Sequence, residues 1–276
     1  MIQTQLILPG ILALLPRSLA HEAAGHLLVN STDTGYWKSV LYGPSSPTHL
    51  PTTQTLTPAA GEIAEVPPQG YIAPIKWDEV QTSNGTCGRN AFAAMSRTTI
   101  ADVVAGTEVG FRTNSFPEIL GLPPGEEADN GPFGYGHFYH PGPGQVHLSR
   151  APNDDLRAYR GEGGWFKIAY AGPLNNTTWK LRAQTDVCCC GCSCNMYSRT
   201  NRAPQFNFTV PLTTPPGKYL MRIEHLWPGT KTEYLQWYIT CALVNIIGPG
   251  GGKPTDTIKF PGGVDLNDPG KFFFSF

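Results

Sequence analysis

The chain has 276 residues, 40% of them hydrophobic, enough to bury a sizeable core in one large domain or two small ones. With 31 glycines, 26 prolines and only 15% charged residues, it is rich in turns and poor in long surface helices. A formal net charge of −1 and the lack of any sustained basic run exclude a nucleic-acid binder, which needs a basic face.

At the start of the chain, the apolar run 6–15 is too short to span a bilayer. It is followed by small residues, Ser18 and Ala20, at the −3 and −1 positions of a cleavage site. This predicts a secretory signal over residues 1–20 and one secreted domain over 21–276, with no membrane association after processing. The first five residues lack the Lys or Arg usual in a signal. N-x-Ser/Thr sequons at Asn30, Asn84, Asn175, Asn176 and Asn207 agree with export.

Cleavage after Ala20 makes His21 the first residue. A free α-amine and a ring Nδ1 on one residue form a chelate, and the amine's ordinary pKa of roughly 8 lets a metal displace its proton near neutrality. Nitrogen ligation of this kind suits Cu(II). Residues 21–30 read as a strand, with Leu27 and Val29 facing one way. The segment 43–70 is Pro/Thr-rich without periodicity.

Order returns at 73–75 and 86–92, and 102–111 reads as two consecutive strands about the turn at Gly106. A loop rich in Pro, Gly and acids, 114–136, then delivers His140 in the stiff turn Tyr139-His140-Pro141-Gly142-Pro143. Further strands are predicted at 145–149, 165–168, 207–210, 217–224 and 237–247. Eight or so short strands joined by turns, with no sustained helical period, predict an all-β, antiparallel β-sandwich with long loops.

Of the seven cysteines, Cys87 and Cys241 stand alone and are expected to bridge in an oxidising compartment. The other five crowd into 188–194. Adjacent cysteines cannot all reach one ion, so 188–202 reads as an inserted loop or an unspliced segment rather than a metal–thiolate cluster. His140 and Tyr238 would add a second nitrogen and an axial phenol to His21. Taken alone, His140 is equally a turn residue beside prolines and Tyr238 a core aromatic with its hydroxyl satisfied.

With His21, His140, Gln236 and Tyr238 in place, the chain resembles the fungal lytic polysaccharide monooxygenases of auxiliary activity family 9. The motifs are His21 with Val29-Asn30, Thr86-Cys87-Gly88-Arg89-Asn90-Ala91, His140-Pro141-Gly142-Pro143 with Leu148-Ser149-Arg150-Ala151-Pro152, and Gly163-Gly164-Trp165-Phe166-Lys167-Ile168. Later come the run from Pro216 to Glu224, Gln236-Trp237-Tyr238 with Cys241, Phe260-Pro261-Gly262 and Asp268-Pro269-Gly270. The resemblance spans His21 to about Gly270, apart from 43–70 and 188–202.

It implies an immunoglobulin/fibronectin III-like sandwich holding one copper in a histidine brace on a flat face. It also implies oxidative cleavage of cellulose or a related β-linked polysaccharide by a monomer, with an external electron donor, a small reductant or redox protein, and O2 or H2O2 as co-substrate. By motif, His21 gives its amine and ring, His140 the opposing imidazole and Tyr238 the axial oxygen. Gln236, two residues along the same strand face, is placed to donate a hydrogen bond to the oxygen species. The Cys87–Cys241 bridge also matches the family.

Two positions depart from the family pattern. Gly229 stands where a hydrogen-bonding histidine is common, and Val264 where a sugar-stacking tyrosine is usual; Tyr36 and Trp37 are the candidate replacements for that platform, unless Trp37 is buried. His26, His49, His137, His147 and His225 read as non-ligands, and Arg222 with Glu224 as a structural ion pair. Alternation puts His225 on the face opposite Glu224, away from the site unless a bulge intervenes. On that register, Gly229→His is expected to raise the oxidation rate and His225→Ala to change it little. The competing reading is a non-catalytic extracellular copper- or carbohydrate-binding sandwich.

Overall fold

A computed structural model describes residues 22–42, 74–113, 138, 140–176, 178–181, 205–229 and 231–265. The leader 1–20, His21 itself, the stretches 43–70 and 188–202, and the loop 114–136 lie outside the described residues.

Among the described residues, ten strands build two sheets: β1 (His26–Val29), β2 (Thr32–Asp33), β3 (Ile75–Lys76), β4 (Ala101–Val104), β5 (Glu108–Arg112), β6 (Gly144–Arg150), β7 (Phe166–Ala171), β8 (Gln205–Thr209), β9 (Gly217–Trp227) and β10 (Gln236–Ile247). The smaller sheet runs β2-β1-β5-β8 and the larger β3-β10-β9-β6-β7, with β4 added in parallel to β10. The antiparallel sandwich is as the alternation predicts. The two strands around Gly106 do not form a hairpin: β4 joins the larger sheet and β5 the smaller. Gly106, at φ +90°, takes the backbone through the turn that separates them.

Between the sheets, Leu27, Val109, Phe111 and Phe206 pack on Val146, Tyr219, Met221, Ile223, Ala242 and Val244. The other face of the larger sheet is covered as well. There Leu220, Cys241 and Leu243 pack with Ala91, Met95, Tyr159, Trp165 and Phe260. With both faces buried, β10 is enclosed along nearly its whole length and reads as an apolar run rather than a clean alternation.

Two devices fasten this outer layer. Cys87, at the end of the short helix α1 (Asn84–Cys87), is bonded to Cys241 of β10 across 154 residues. Arg222 of β9, fully buried, donates to the carbonyls of Thr86 (2.9 Å) and Gly85 (3.1 Å) and to Glu224 Oε2 (2.6 Å). Its guanidinium lies 3.8 Å from the Phe260 ring centre. Because the bridge closes a long loop, reducing it is expected to cost about 2–5 kcal/mol, read as a lower denaturation midpoint in dithiothreitol. An unchanged midpoint would show that the non-covalent ties, those of Arg222 among them, hold α1 without the bridge.

Among the sequons, Asn30, Asn175, Asn176 and Asn207 are exposed. Asn84 is half-buried, and its amide nitrogen donates to Glu79 at 2.9 Å.

Candidate metal and polysaccharide site

At one end of the larger sheet, the face turned toward the smaller sheet stops being aliphatic and becomes aromatic and polar. Register dictates which side chains meet there. In the β9–β10 pairing, Gln236 lies opposite Trp227 and Tyr238 opposite His225, and residues two apart on a strand share a face.

His140 enters from the turn before β6. That turn lies against the β9 backbone, where the Leu226 N–H donates to the Pro143 carbonyl at 3.0 Å. The approach demands glycine at 142, because a Cβ there would sit 1.8 Å from the Leu226 carbonyl oxygen. The His140 ring stacks on Trp227 (centroids 4.5 Å, 16°) and on Tyr238 (5.8 Å, 29°).

Tyr238 is 7% exposed, and its hydroxyl donates to Gln236 Oε1 at 2.5 Å. That bond turns the amide oxygen toward the phenol and leaves Gln236 Nε2 to donate elsewhere. The structure therefore brings three of the predicted residues, His140, Gln236 and Tyr238, together. The fourth, His21, lies outside the described residues, but its neighbour Glu22 is buried here and hydrogen-bonds His225.

His225 is on this face without any bulge. Its ring is stacked on Tyr238 (5.9 Å, 27°) and met edge-on by Phe138 (5.4 Å, 84°). It is indeed opposite Glu224, which points to the outer layer; the sequence reading erred in assigning the site to Glu224's side. The expectation for Gly229 fails for a second reason. Gly229 has φ +51°, and a Cβ would stand 3.0 Å from the carbonyl carbon of Tyr234. Gly229→His is thus expected to cost about 1–2 kcal/mol and to leave turnover no faster. A thermal melt alongside a product time course checks both.

Trp37 is 6% exposed and packs in the core between the sheets, so it presents no platform. Tyr36 is half-buried between His26 and Trp37, at 5.5 and 5.6 Å. His26 is 3% exposed and bonded to Asp33. Val264 packs under the outer layer, and its carbonyl accepts a 2.5 Å hydrogen bond from Gln81.

The exposed aromatics at this end of the sheet are ones that sequence did not single out. Trp77 (39% exposed) directly follows Lys76, the partner of Gln236, and Tyr234 (52% exposed) precedes Gln236 by two residues. No local pattern marks either: Trp77 is brought beside Gln236 by the pairing of β3 with β10, and Tyr234 by the short turn that leads into β10.

The two-sheet β-sandwich thus gathers an imidazole, a phenol and an amide at one sheet end, beside the residue following His21. Residues 21–275 match the model of Auxiliary Activity family 9 (formerly GH61), and the chain belongs to that family of copper-dependent lytic polysaccharide monooxygenases. It is 45% identical to AA9 family lytic polysaccharide monooxygenase U of Thermothielavioides terrestris, over 92% of this chain and 81% of that one. It is 30% identical to AA9 family lytic polysaccharide monooxygenase G of Aspergillus tamarii over 74% of this chain, a match that spans 53% of that longer protein. The fold also matches the crystal structure of a cellulose-active polysaccharide monooxygenase from M. thermophila, with a TM-score of 0.57, 17% identity, and 92% and 90% of the two chains covered.

Proposed function

We propose that this chain, processed to begin at His21, is a secreted monomeric monooxygenase that cuts cellulose or a related β-linked glucan, with one copper held by His21, His140 and Tyr238. The observation that carries the reading is the ring ladder Trp227, His140, Tyr238, which fixes an imidazole over a phenol at an open sheet end. Among the described residues no three His, Cys, Asp or Glu side chains form a metal cluster. The candidate donors are instead the His140 imidazole and the Tyr238 phenol, a set that the amine and ring of His21 would complete. That mixture of nitrogen and oxygen suits copper.

Bound copper supplies the one-electron chemistry that activates O2 or H2O2, with electrons from an external reductant. The chain's own residues do the rest. Trp227 and Tyr238 both stack on the His140 ring and set its orientation. The Tyr238 hydroxyl orients Gln236 so that its amide N–H can donate toward the reacting site. Trp77 and Tyr234 offer exposed faces on which sugar rings stack, in place of the tyrosine missing at Val264.

Copper titration of protein beginning at His21, compared with protein retaining residues 1–20, tests the reading. Tight binding is expected only for the processed form, because an amide-blocked His21 has no free amine. Equal affinities would overturn it. Oxidised oligosaccharides released only with copper and reductant separate the enzyme from a non-catalytic binding sandwich.

A further inference from the structure

We infer that Glu22 and His225 form a buried latch that positions the N-terminal residue of the processed chain for metal binding. The latch rests on the brace proposed above and adds residues that the brace does not contain.

Glu22 is 5% exposed and His225 1% exposed. The His225 Nδ1–H donates to the Glu22 carboxylate, so a side chain one residue from the terminus is bonded to the middle of the larger sheet. The segment after it is also tied down: the Ala24 carbonyl accepts from Thr240 Oγ1 (3.2 Å) and the Gly25 carbonyl from the Trp37 N–H (2.9 Å). Among the described residues, the Glu22 contact is the tie nearest the terminus. A free chain end frays unless it is held, and every bit of its motion has to be stopped when the terminal amine and ring become ligands.

The latch is aimed as well as attached. His225 lies opposite Tyr238 in register and stacks on it, while His140 stacks on Tyr238 too. Phe138 braces the His225 ring edge-on. Glu22 is therefore referenced, through one ring, to the phenol of the site. His225 Nε2 is buried with no partner among the described residues, and Glu22, Phe138, His225, Tyr238 and Thr240 share a cavity of about 30 Å³, room for a bound water. The His225 ring thus gives its one protein hydrogen bond to the Glu22 side chain. Both are positioning residues, since neither is a proposed ligand.

The test uses full-length processed protein carrying Glu22→Ala, His225→Leu, or both, with Cu(II) as the probe. Cu(II) affinity is expected to fall about 10–100-fold in each single variant, the range for residues that orient metal ligands. The double variant should lose no more than either single one, because both break the same bond. The Cu(II) paramagnetic resonance spectrum should change, and the copper-induced rise in Tm should shrink. A merely structural pair would lower apo and copper-loaded Tm equally and leave affinity and spectrum untouched, and that result would overturn the latch. If His225→Leu does not fold, Glu22→Ala decides alone. Should the unmutated processed chain itself fail to bind copper, the brace falls instead; tight wild-type binding with unaltered variants sinks only the latch.

Discussion

Replacing His140 with alanine is expected to abolish oxidative cleavage and to weaken Cu(II) binding by at least about 100-fold, more than the loss of a residue that merely orients a ligand. The fold should survive. His140 stands on a half-exposed turn, and what it contributes to stability is ring stacking on Trp227 and Tyr238, about 0.5–1.5 kcal/mol per pair. His225 cannot stand in for it, since that ring is on the buried side of Tyr238 with Nδ1 engaged by Glu22. Calorimetry for Cu(II), a melting curve and product analysis on cellulose together check the prediction. Retained tight binding with lost activity would move His140 from ligand to substrate contact.

The contrast between those two histidines shows what was legible before the fold was known. His140 could be found because prolines and glycine around it fix a turn, and because the spacing from Gln236 to Tyr238 puts both on one strand face. The strands themselves were readable from short alternating runs bounded by turns. Which face of β9 and β10 carries the site was not readable, because both faces are buried and the polar–apolar alternation that would distinguish them is erased. Tyr219, Met221 and Ile223 fill one core while Leu220 fills the other, so apolar residues occupy successive positions. Glu22, Trp227 and Trp77 are equally silent in sequence: each gains meaning only through a cross-strand partner or a contact some 200 residues away.

The second large effect lies on the outer face of the same strands. Glu224→Leu is expected to cost about 3–5 kcal/mol, because it leaves the Arg222 guanidinium buried without its carboxylate. Arg222 keeps its bonds to the Thr86 and Gly85 carbonyls, but neutral carbonyls do not replace a countercharge. For a chain of this length the loss should appear as a fall in Tm of roughly 10 °C. In an Arg222→Met background the same Glu224→Leu change should cost far less, and additivity would show that the pair is not coupled.

The pH dependence follows from the sign of the shift. Burial alone would raise the Glu224 carboxyl, but Arg222 beside it and the 2.7 Å hydrogen bond from Gln145 hold it below its ordinary value. A depressed carboxyl stabilises the fold fully above its unfolded value of roughly 4.3 and loses that contribution as pH falls through the folded one. The gap between wild type and Glu224→Leu should therefore be flat across neutral pH and close only in acid. His147 is pushed down to about 4 by burial and by the positive charges of Arg222 and Lys167, with Glu224 opposing. Between pH 6.5 and 4 the unfolded chain takes up a proton that the native His147 refuses, so wild type also loses stability there. Comparing the variants above pH 6.5 isolates the Arg222–Glu224 pair; a gap that closes already at neutral pH would mean that Glu224 is protonated in the native fold.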